Sequence, residues 1–301
     1  MPTGFVLIDK PSGPTSHDVV AKARRALGTR RIGHAGTLDP MATGVLILGV
    51  GRATRLLGAA QHADKTYAAT IRLGQSTTTD DAQGDVLTRG GAAGITEDRV
   101  LAAMAGLAGP IEQRPSAVSA IKVNGRRAYD RVRAGEQVEL GARKVTVAEF
   151  ALLATRPVED PDGTAYLDLD VRVRCSSGTY IRALARDLGV DLGCGGHLTA
   201  LRRSEAAGIG VERCRDLGDF LADPAVLPVA EVIGAWLPIV EVDPESVREF
   251  SHGRQVPATG CDELEGRQAA AIGSGSPDVA AIVRVSHGML SPAIVLTEPI
   301  G

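Results

Sequence analysis

The chain has 301 residues, 44% of which are hydrophobic. This length suits either one large domain with one small domain, or two medium domains. The net charge of −3 gives no sign of a nucleic-acid partner. No apolar run approaches the roughly 20 residues of a membrane span, and the start lacks the basic segment and cleavage site of a signal peptide. The cysteines Cys175, Cys194, Cys214 and Cys261 form no C-x-x-C pair, so we expect reduced thiols in a cytoplasmic protein and no zinc site.

The first predicted elements are a buried strand and a helix. Residues 4–9 are apolar, and the Lys-Pro-Ser-Gly-Pro cluster at 10–14 ends the strand. The helix that follows has Thr15 or Ser16 as its N-cap and Gly28 beyond its C-terminus, and its apolar residues recur at helical spacing. The basic residues that this spacing leaves largely off the buried face are Lys22, Arg24 and Arg25.

Residues 30–44 have no periodicity and contain three glycines and one proline before the apolar strand at 45–50. Irregular loops in front of core strands commonly carry functional side chains. Asp39 precedes a proline in this loop, so its carboxylate is predicted to be presented from a non-helical turn. An aspartate that only caps the turn through the backbone is the alternative. His34 is equally compatible with a solvated loop position.

An alternating strand is predicted next, at residues 65–74, with Tyr67 on its apolar face. By itself Tyr67 is compatible with plain core packing and one satisfied hydroxyl. The polar loop 77–85 follows, and then a helix capped by Thr96 that runs through Leu107.

The middle of the chain holds a basic excursion at 119–144, built around an Asn-Gly turn signal, and an alternating strand that ends at Cys175. Tyr180 and Arg182 open the next predicted helix. Because a cation at a helix N-terminus opposes the helix dipole, Arg182 is predicted to contact an anion, either a carboxylate or a phosphate.

Short strand-like segments separated by turns fill the C-terminal part, at 249–257, 280–288 and 289–297. They follow a proline-punctuated stretch and fit a small β-barrel.

Charge is distributed unevenly between the two ends of the chain. Residues 1–75 hold ten Lys or Arg and four Asp, giving 10 − 4 = +6, whereas residues 212–301 give 6 − 14 = −8. Such asymmetry is compatible with a polyanion-facing N-terminal half, and equally with uneven surface charge. No dinucleotide fingerprint, phosphate loop, serine nucleophile elbow or H-E-x-x-H motif is present.

Five segments resemble, in the correct order, the motifs of TruB-type tRNA pseudouridine synthases, enzymes that act on uridine 55 in the T loop. Together they cover most of residues 4–205, and ordered agreement of this kind is far more specific than any single motif. The segments are KPSGPTSHDVV, GHAGTLDPMATGVLILGVGRAT, DKTYAATIRLGQSTTTDDAQG, PSAVSAIKVNGRRAYDRVRAG and VRCSSGTYIRALARDLG.

The resemblance implies an α+β fold. Residues 1–236 are expected to form the catalytic domain, with a mixed, mostly antiparallel central sheet and an RNA-gripping thumb insertion at about 119–144. Residues 237–301 are expected to form a small PUA-like β-barrel.

The resemblance also implies site residues. Asp39 is the implied nucleophile, and Arg182 pairs with it and keeps it ionised through the nearby positive charge. Tyr67 stacks on the uridine, which is flipped out of the T loop, and helps with proton transfer. The implied substrate-binding residues are His34, which inserts where the uridine leaves the stack, Tyr180 and Leu201, which line the uridine pocket, and Lys10, Arg126 and Arg127.

The family's chemistry needs no metal or cofactor, and the implied partner of a monomeric, cytoplasmic enzyme is the T arm of tRNA. A second role as a tRNA folding chaperone is compatible with this assignment. Two alternatives are a catalytically idle chaperone and a guide-RNA-dependent synthase of the archaeal and eukaryotic kind. The presence of Asp39, Tyr67 and Arg182 disfavours the first, and the thumb insertion without a Lys-rich tail disfavours the second.

Overall fold

The computed structural model describes residues 2–115, 122–123, 126–127, 141–276 and 278–298. The chain is of the α+β class and folds into two compact units. The first unit comprises Met1–Pro40, Gly44–His62 and Ala206–Gly301, and the second comprises Met41–Thr43 and Ala63–Glu205. The boundary between a catalytic domain at 1–236 and a PUA-like domain at 237–301 stays a prediction.

The described strands begin with β1 (Gly4–Lys10), β2 (Ile32–His34), β3 (Thr43–Val50), β4 (Lys65–Leu73), β5 (Gln75–Thr77), β6 (Val86–Arg89), β7 (Gly109–Gln113), β8 (Lys122–Val123) and β9 (Arg126–Arg127). They continue with β10 (Arg143–Glu159), β11 (Ala165–Cys175), β12 (Gly196–Ala206), β13 (Ile209–Gly210), β14 (Arg215–Asp216), β15 (Ile239–Val242), β16 (Val256–Pro257), β17 (Gln268–Gly273), β18 (Val279–Ser286) and β19 (Met289–Val295).

The described α-helices are α1 (Ser16–Ala26), α2 (Leu57–His62), α3 (Glu97–Gly106), α4 (Ile181–Asp191), α5 (Leu217–Ala222), α6 (Val229–Ile233) and α7 (Pro244–Ser251). Short 3₁₀ helices lie at Gly51–Leu56, Val211–Arg213 and Asp262–Leu264. None of the helices within the described part of the chain is both long and apolar enough to cross a membrane.

In the first unit, β1 pairs antiparallel with β3 and parallel with β14, and β2 pairs antiparallel with β3. Helix α1 covers this sheet with Val19, Val20 and Ala23, which share a hydrophobic core with Phe220. Burying each of the two valines stabilises the fold by roughly 1.5–3 kcal/mol, so α1 and the loop after it are tied to a rigid sheet.

Helix α1 begins and ends as its sequence predicts. Thr15 is the N-cap, and its side chain and that of Asp18 each accept a hydrogen bond from the other's backbone amide. Such a capping box provides acceptors for two backbone amides that have no acceptor within the helix. Gly28, just after the C-cap, has φ +62°, a left-handed conformation that glycine adopts without a Cβ clash.

The second unit contains a five-stranded run in the order β12-β4-β11-β10-β7. The pairs of β11 with β4 and of β10 with β11 and β7 are antiparallel. The predicted alternation in β4 is confirmed, since Tyr67, Ala69, Ile71 and Leu73 are all buried. The fold class, with its mixed and mostly antiparallel sheet, is therefore as predicted.

Two local predictions were wrong. The loop 30–44 is not irregular throughout, because Ile32–His34 pairs with β3. Residues 249–257 are not simply strand-like, since helix α7 extends to Ser251 before the two-residue strand β16. Asp243 caps this helix by accepting a hydrogen bond from the Ser246 amide at 2.7 Å.

The C-terminal residues form a sheet of their own within the first unit, in the order β15-β17-β18-β19-β16. Its core includes Val242, Phe250, Val283 and Leu290. The predicted β-rich C-terminal part is confirmed. All four cysteines are free thiols, as predicted.

Candidate active site

Asp39 lies in the loop between β2 and β3, and the flanking residue Leu38 is anchored to α1. The Ser16 hydroxyl is buried, accepts a hydrogen bond from the Leu38 amide at 2.8 Å and donates one to the Leu38 carbonyl at 3.2 Å. One side chain thus satisfies both backbone groups of the residue before Asp39. This fixes the backbone from which the half-buried Asp39 side chain extends.

The other side of Asp39 is anchored by Lys10, at the end of β1. Its ammonium donates to the carbonyls of Pro11, Pro14 and Pro40 at 2.9, 2.8 and 3.2 Å, and the residue is 0% exposed. The amide of Gly13 also donates to the Pro40 carbonyl, at 2.8 Å. Lys10 was predicted to bind substrate, and that contact stays a prediction. In this structure its charge is enclosed beneath the loop.

His34 is the last residue of β2, and the loop that carries Asp39 follows it directly. The His34 ring meets the ring of His17 edge to face, with centroids 5.2 Å apart. His17 projects from the first turn of α1 and is exposed. The helix therefore supports the imidazole of His34, for which an insertion role is predicted.

In the second unit, Arg182 is the second residue of α4 and is 5% exposed. Its guanidinium donates to the Thr79 carbonyl at 2.9 Å and lies 3.4 Å from a carboxylate oxygen of Asp81. The prediction that Arg182 contacts an anion is confirmed, and Asp81 provides one such carboxylate. The pairing of Arg182 with Asp39 stays a prediction.

Asp81 is a buried acid that sequence reasoning missed. Besides approaching Arg182, it accepts hydrogen bonds from the Gln83 amide at 3.0 Å and the Thr79 hydroxyl. Backbone bonds on both sides hold this loop against Leu198 at the start of β12. The aspartates in TTTDDAQGD were the available signal, but a polar loop normally indicates solvated acids.

Tyr180 is the N-cap of α4, and its backbone is held by a second missed residue. The buried amide of Gln113 accepts a hydrogen bond from the Tyr180 amide at 2.7 Å and donates one to its carbonyl at 3.0 Å. Gln113 ends β7, so the sheet fixes the point at which α4 begins and with it the direction of the half-buried Tyr180 side chain.

Tyr67 and Leu201 lie on the neighbouring strands β4 and β12, at 7% and 8% exposure. Both are thus almost enclosed, which suits residues that line a small apolar pocket and suits core packing equally well. Their predicted roles in base stacking and in lining a uridine pocket stay predictions.

Other predictions for this site concern the thumb and metals. The strands β8 and β9 pair antiparallel on either side of Asn124-Gly125, whereas the side chains of Arg126 and Arg127, and most of the predicted thumb, lie outside the described residues. Within the described residues, no three His, Cys, Asp or Glu side chains cluster as metal ligands.

Comparison with known proteins gives a consistent result. The family model for TruB family pseudouridylate synthase (N terminal domain) matches residues 24–181. The tRNA pseudouridine synthase B of Thermobifida fusca (strain YX) is 52% identical over 297 residues, which is 98% of this chain and 99% of that protein. The protein of the same name from Streptomyces avermitilis is 52% identical over 271 residues, which is 90% of this chain and 89% of that protein.

Among solved structures, a chain in the crystal structure of a Cbf5-Nop10-Gar1 complex matches with a TM-score of 0.71. It is 25% identical, and the match covers 98% of this chain and 85% of that chain. The resemblance inferred from the five motifs is confirmed. The chain belongs to the TruB family of pseudouridylate synthases.

Proposed function

We propose that this chain converts uridine 55 in the T loop of tRNA to pseudouridine. The observation that carries the proposal is the 52% identity, over 98% of the chain, to a protein named tRNA pseudouridine synthase B. The ordered motifs that contain Asp39, Tyr67 and Arg182 support it independently. The likeness to the Cbf5 chain is lower, at 25% identity, which favours a stand-alone tRNA enzyme over a guide-dependent one.

The reaction is an isomerisation without net redox change. The bond from the ribose C1′ to the base N1 breaks, the base rotates, and a new bond joins C1′ to C5. The C5 proton is lost and N1 gains a proton. Asp39 acts as the nucleophile on the flipped nucleotide. The anchoring of Leu38 by Ser16 and of Pro40 by Lys10 supports this role, because a positioned nucleophile loses little freedom when it reacts.

Arg182 supplies a positive charge for the Asp39 carboxylate in the proposed reaction. Its position in the second unit is set by Asp81 and the Thr79 carbonyl. Tyr67 stacks on the base, and Tyr180 and Leu201 line its pocket. His34 fills the space that the uridine leaves in the T loop, and Arg126 and Arg127 contact the RNA. Lys10 supports substrate binding through the loop that it anchors. The enzyme acts as a monomer in the cytoplasm.

The decisive experiment uses a tRNA transcript labelled with tritium at C5 of uridine, because formation of the carbon–carbon bond releases that tritium. The purified chain should release tritium without any added guide RNA, and a transcript with cytidine at position 55 should release none. Asp39→Asn should abolish release and leave tRNA affinity within a few-fold, since affinity comes mainly from phosphates and loop shape. Turnover by Asp39→Asn would contradict the proposed nucleophile.

The same assay separates modification from tRNA folding. If the chain also acts as a chaperone, Asp39→Asn should still accelerate refolding of a misfolded tRNA. A wild-type chain that refolds tRNA but releases no tritium would be an idle chaperone, and the proposed enzymatic function would be wrong.

A further inference from the structure

The ten cations of residues 1–75 differ in what they contact. Lys10 and Lys65 are buried, and their ammonium groups donate to backbone carbonyls. Arg72 forms a two-pronged ion pair with Asp168, at 2.7 and 2.9 Å. Arg52 and Arg55 donate to backbone carbonyls between Val295 and Thr297. Arg24 donates to the Ile32 carbonyl at 2.7 Å. These six cations serve the fold.

The remaining four, Lys22, Arg25, Arg30 and Arg31, are exposed, and we call them the α1 basic surface. Lys22 and Arg25 are three residues apart on α1, so they share one side of the helix. The chain then turns back, with the Thr29 amide donating to the Arg24 carbonyl at 3.1 Å, which keeps Arg30 and Arg31 beside the helix end. None of the four forms an ion pair with any residue that the structure describes.

Helix stability explains only part of this surface. Arg25 lies in the last turn of α1, where a cation favours the helix dipole. Lys22 lies more than one residue before the last turn's end, and Arg30 and Arg31 lie beyond the helix, so the helix dipole stabilises these three cations little. Asp18, one turn before Lys22 on α1, partly offsets the charge of that lysine. Arg25, Arg30 and Arg31 form no ion pair among the described residues, so these neighbouring cations repel one another and favour an external polyanion.

The position of the surface identifies which polyanion fits. Strand β2 leads from Arg31 to His34 in three residues, a distance of roughly 10 Å for extended chain. Four residues further on, the same chain reaches Leu38 and then Asp39. An RNA whose target loop lies at His34 and Asp39 therefore has its flanking phosphates close to the α1 basic surface.

We propose that Lys22, Arg25, Arg30 and Arg31 bind the phosphate backbone of the tRNA arm that presents the target uridine. This inference rests on the proposed function and adds a binding surface to it. The surface contributes affinity that depends on salt, and it takes no part in bond making or breaking. Arginine suits this role because its guanidinium stays charged and can bind phosphate through two donors.

The test compares two variants with the same change of net charge. The first is Arg25→Gln with Arg30→Gln and Arg31→Gln. The matched control replaces three exposed arginines of the acidic C-terminal region by glutamine, and these are Arg248, Arg267 and Arg284. For each, tRNA affinity is measured over a series of salt concentrations, tritium release is measured in single turnover at saturating tRNA, and folding is checked by thermal unfolding.

Each lost phosphate contact should lower the slope of log affinity against log salt by roughly 0.7–0.9. The surface variant should therefore flatten the slope by roughly 1.5–2.5 if two or three arginines reach phosphate, while the control keeps the wild-type slope. Single-turnover release at saturating tRNA should match the wild type in both.

An unchanged slope in the surface variant, or an equal change in the control, would overturn the proposal. If the triple variant unfolds, Arg30→Gln and Arg31→Gln together, which lie outside the helix, give the same test. Unchanged tRNA binding with lost binding to vesicles of anionic lipid would assign the surface to membranes and also overturn it. If the wild type releases no tritium, the proposed enzymatic function is contradicted. The proposal for the α1 basic surface is tested separately, because it depends on how tRNA affinity changes with salt.

Discussion

Arg182 depends on Asp81 for its position, and this contact gives a prediction at the scale of one residue. Both side chains are 5% exposed, so Asp81→Asn keeps the shape but leaves a buried guanidinium with one carboxylate fewer. Hydrogen bonds to charged groups are worth about 1.5–3 kcal/mol. Tritium release should fall roughly 10- to 100-fold, with tRNA affinity within a few-fold of wild type.

The control for Asp81→Asn is Asp85→Asn, an exposed acid in the same loop. It should retain the wild-type rate. Equal rates for the two variants would show that Asp81 does not position Arg182.

Arg182→Lys should lose most activity, because a point charge cannot reproduce a planar guanidinium.

Lys10 supports a second prediction at this scale. Lys10→Met keeps most of the side-chain volume but removes the donor that three carbonyls share. Leaving buried acceptors unsatisfied costs about 1–3 kcal/mol, so the free energy of unfolding should fall by roughly that amount in urea titrations, and tritium release should fall with it. Lys144→Met, at an exposed lysine, is the control. If the two variants are equally stable, Lys10 does not anchor the loop.

At the residue scale, sequence could identify side chains whose type conflicts with their local setting. Arg182 conflicts with its helix end and was a candidate on that ground. Asp39 precedes a proline in a turn, where backbone capping was an open alternative, and it became a candidate nucleophile through the resemblance. Ser16, Asp81 and Gln113 give no such signal in the sequence. Their roles arise from contacts across 22, 101 and 67 residues, which only the fold creates.

At the scale of elements, the pair β4 and β11 predicts an unusual dependence of stability on pH. Burial lowers the pKa of the Lys65 ammonium from 10.5 to about 8 and raises the pKa of the Cys175 thiol, opposite it in the register, from 9.0 to about 11. Between pH 8 and 10.5 the unfolded chain holds the lysine proton that the folded chain has released, so this group makes stability rise with pH.

Cys175 acts in the opposite direction between pH 9 and 11, because the folded chain keeps a proton that the unfolded chain has lost. The two contributions together should make the free energy of unfolding rise by roughly 0.6 kcal/mol from pH 8 to 9 and then change little up to about pH 10. Cys175→Ala should extend the rise toward pH 10.5, and Lys65→Met should remove it. Urea titrations at half-unit pH steps measure this, and identical profiles for all three proteins would contradict it.

Local patterns predicted elements well where one face of an element is buried. The alternation in β4 and the caps Thr15 and Thr96 were correct. Strand β2 was missed because three residues containing Gly33 acquire strand geometry only by pairing with β3. Helix α7 was missed although Asp243 followed by Pro244 is a helix-start signal, because the helix is short and strand-like residues follow it closely.

At the scale of the whole molecule, the C-terminal residues are held by arginines from the N-terminal segment. Arg52 donates to the Leu296 and Thr297 carbonyls and Arg55 to the Val295 carbonyl. The ion pair of Arg52 with Glu298 adds little, since Glu298 is 85% exposed. Arg52→Gln with Arg55→Gln should speed amide hydrogen exchange in residues 289–298 by roughly 10-fold, the effect of about 1.4 kcal/mol.

The control for this variant is Arg248→Gln with Arg267→Gln, which changes charge equally without touching those carbonyls. It should leave exchange in residues 289–298 unchanged. If both variants exchange alike, the arginine contacts do not hold the C-terminal strand.

These contacts also change what the charge asymmetry means. The sum of +6 over residues 1–75 suggested a broad polyanion-facing half. Six of its ten cations in fact donate hydrogen bonds within the protein. The four exposed cations that remain form the α1 basic surface. A sum over the sequence cannot separate structural cations from free ones, because both count equally.

The buried lysines have a practical consequence for following local opening by chemical labelling. Among the described residues, Lys10 is enclosed in the first unit and Lys65 in the second, while Lys22 and Lys144 face solvent. An amine-acylating reagent should modify the exposed pair at once and each enclosed lysine only when its surroundings open. Peptide mass spectrometry of a timed acylation would then report opening around the Asp39 loop and within the second unit as separate rates from one sample.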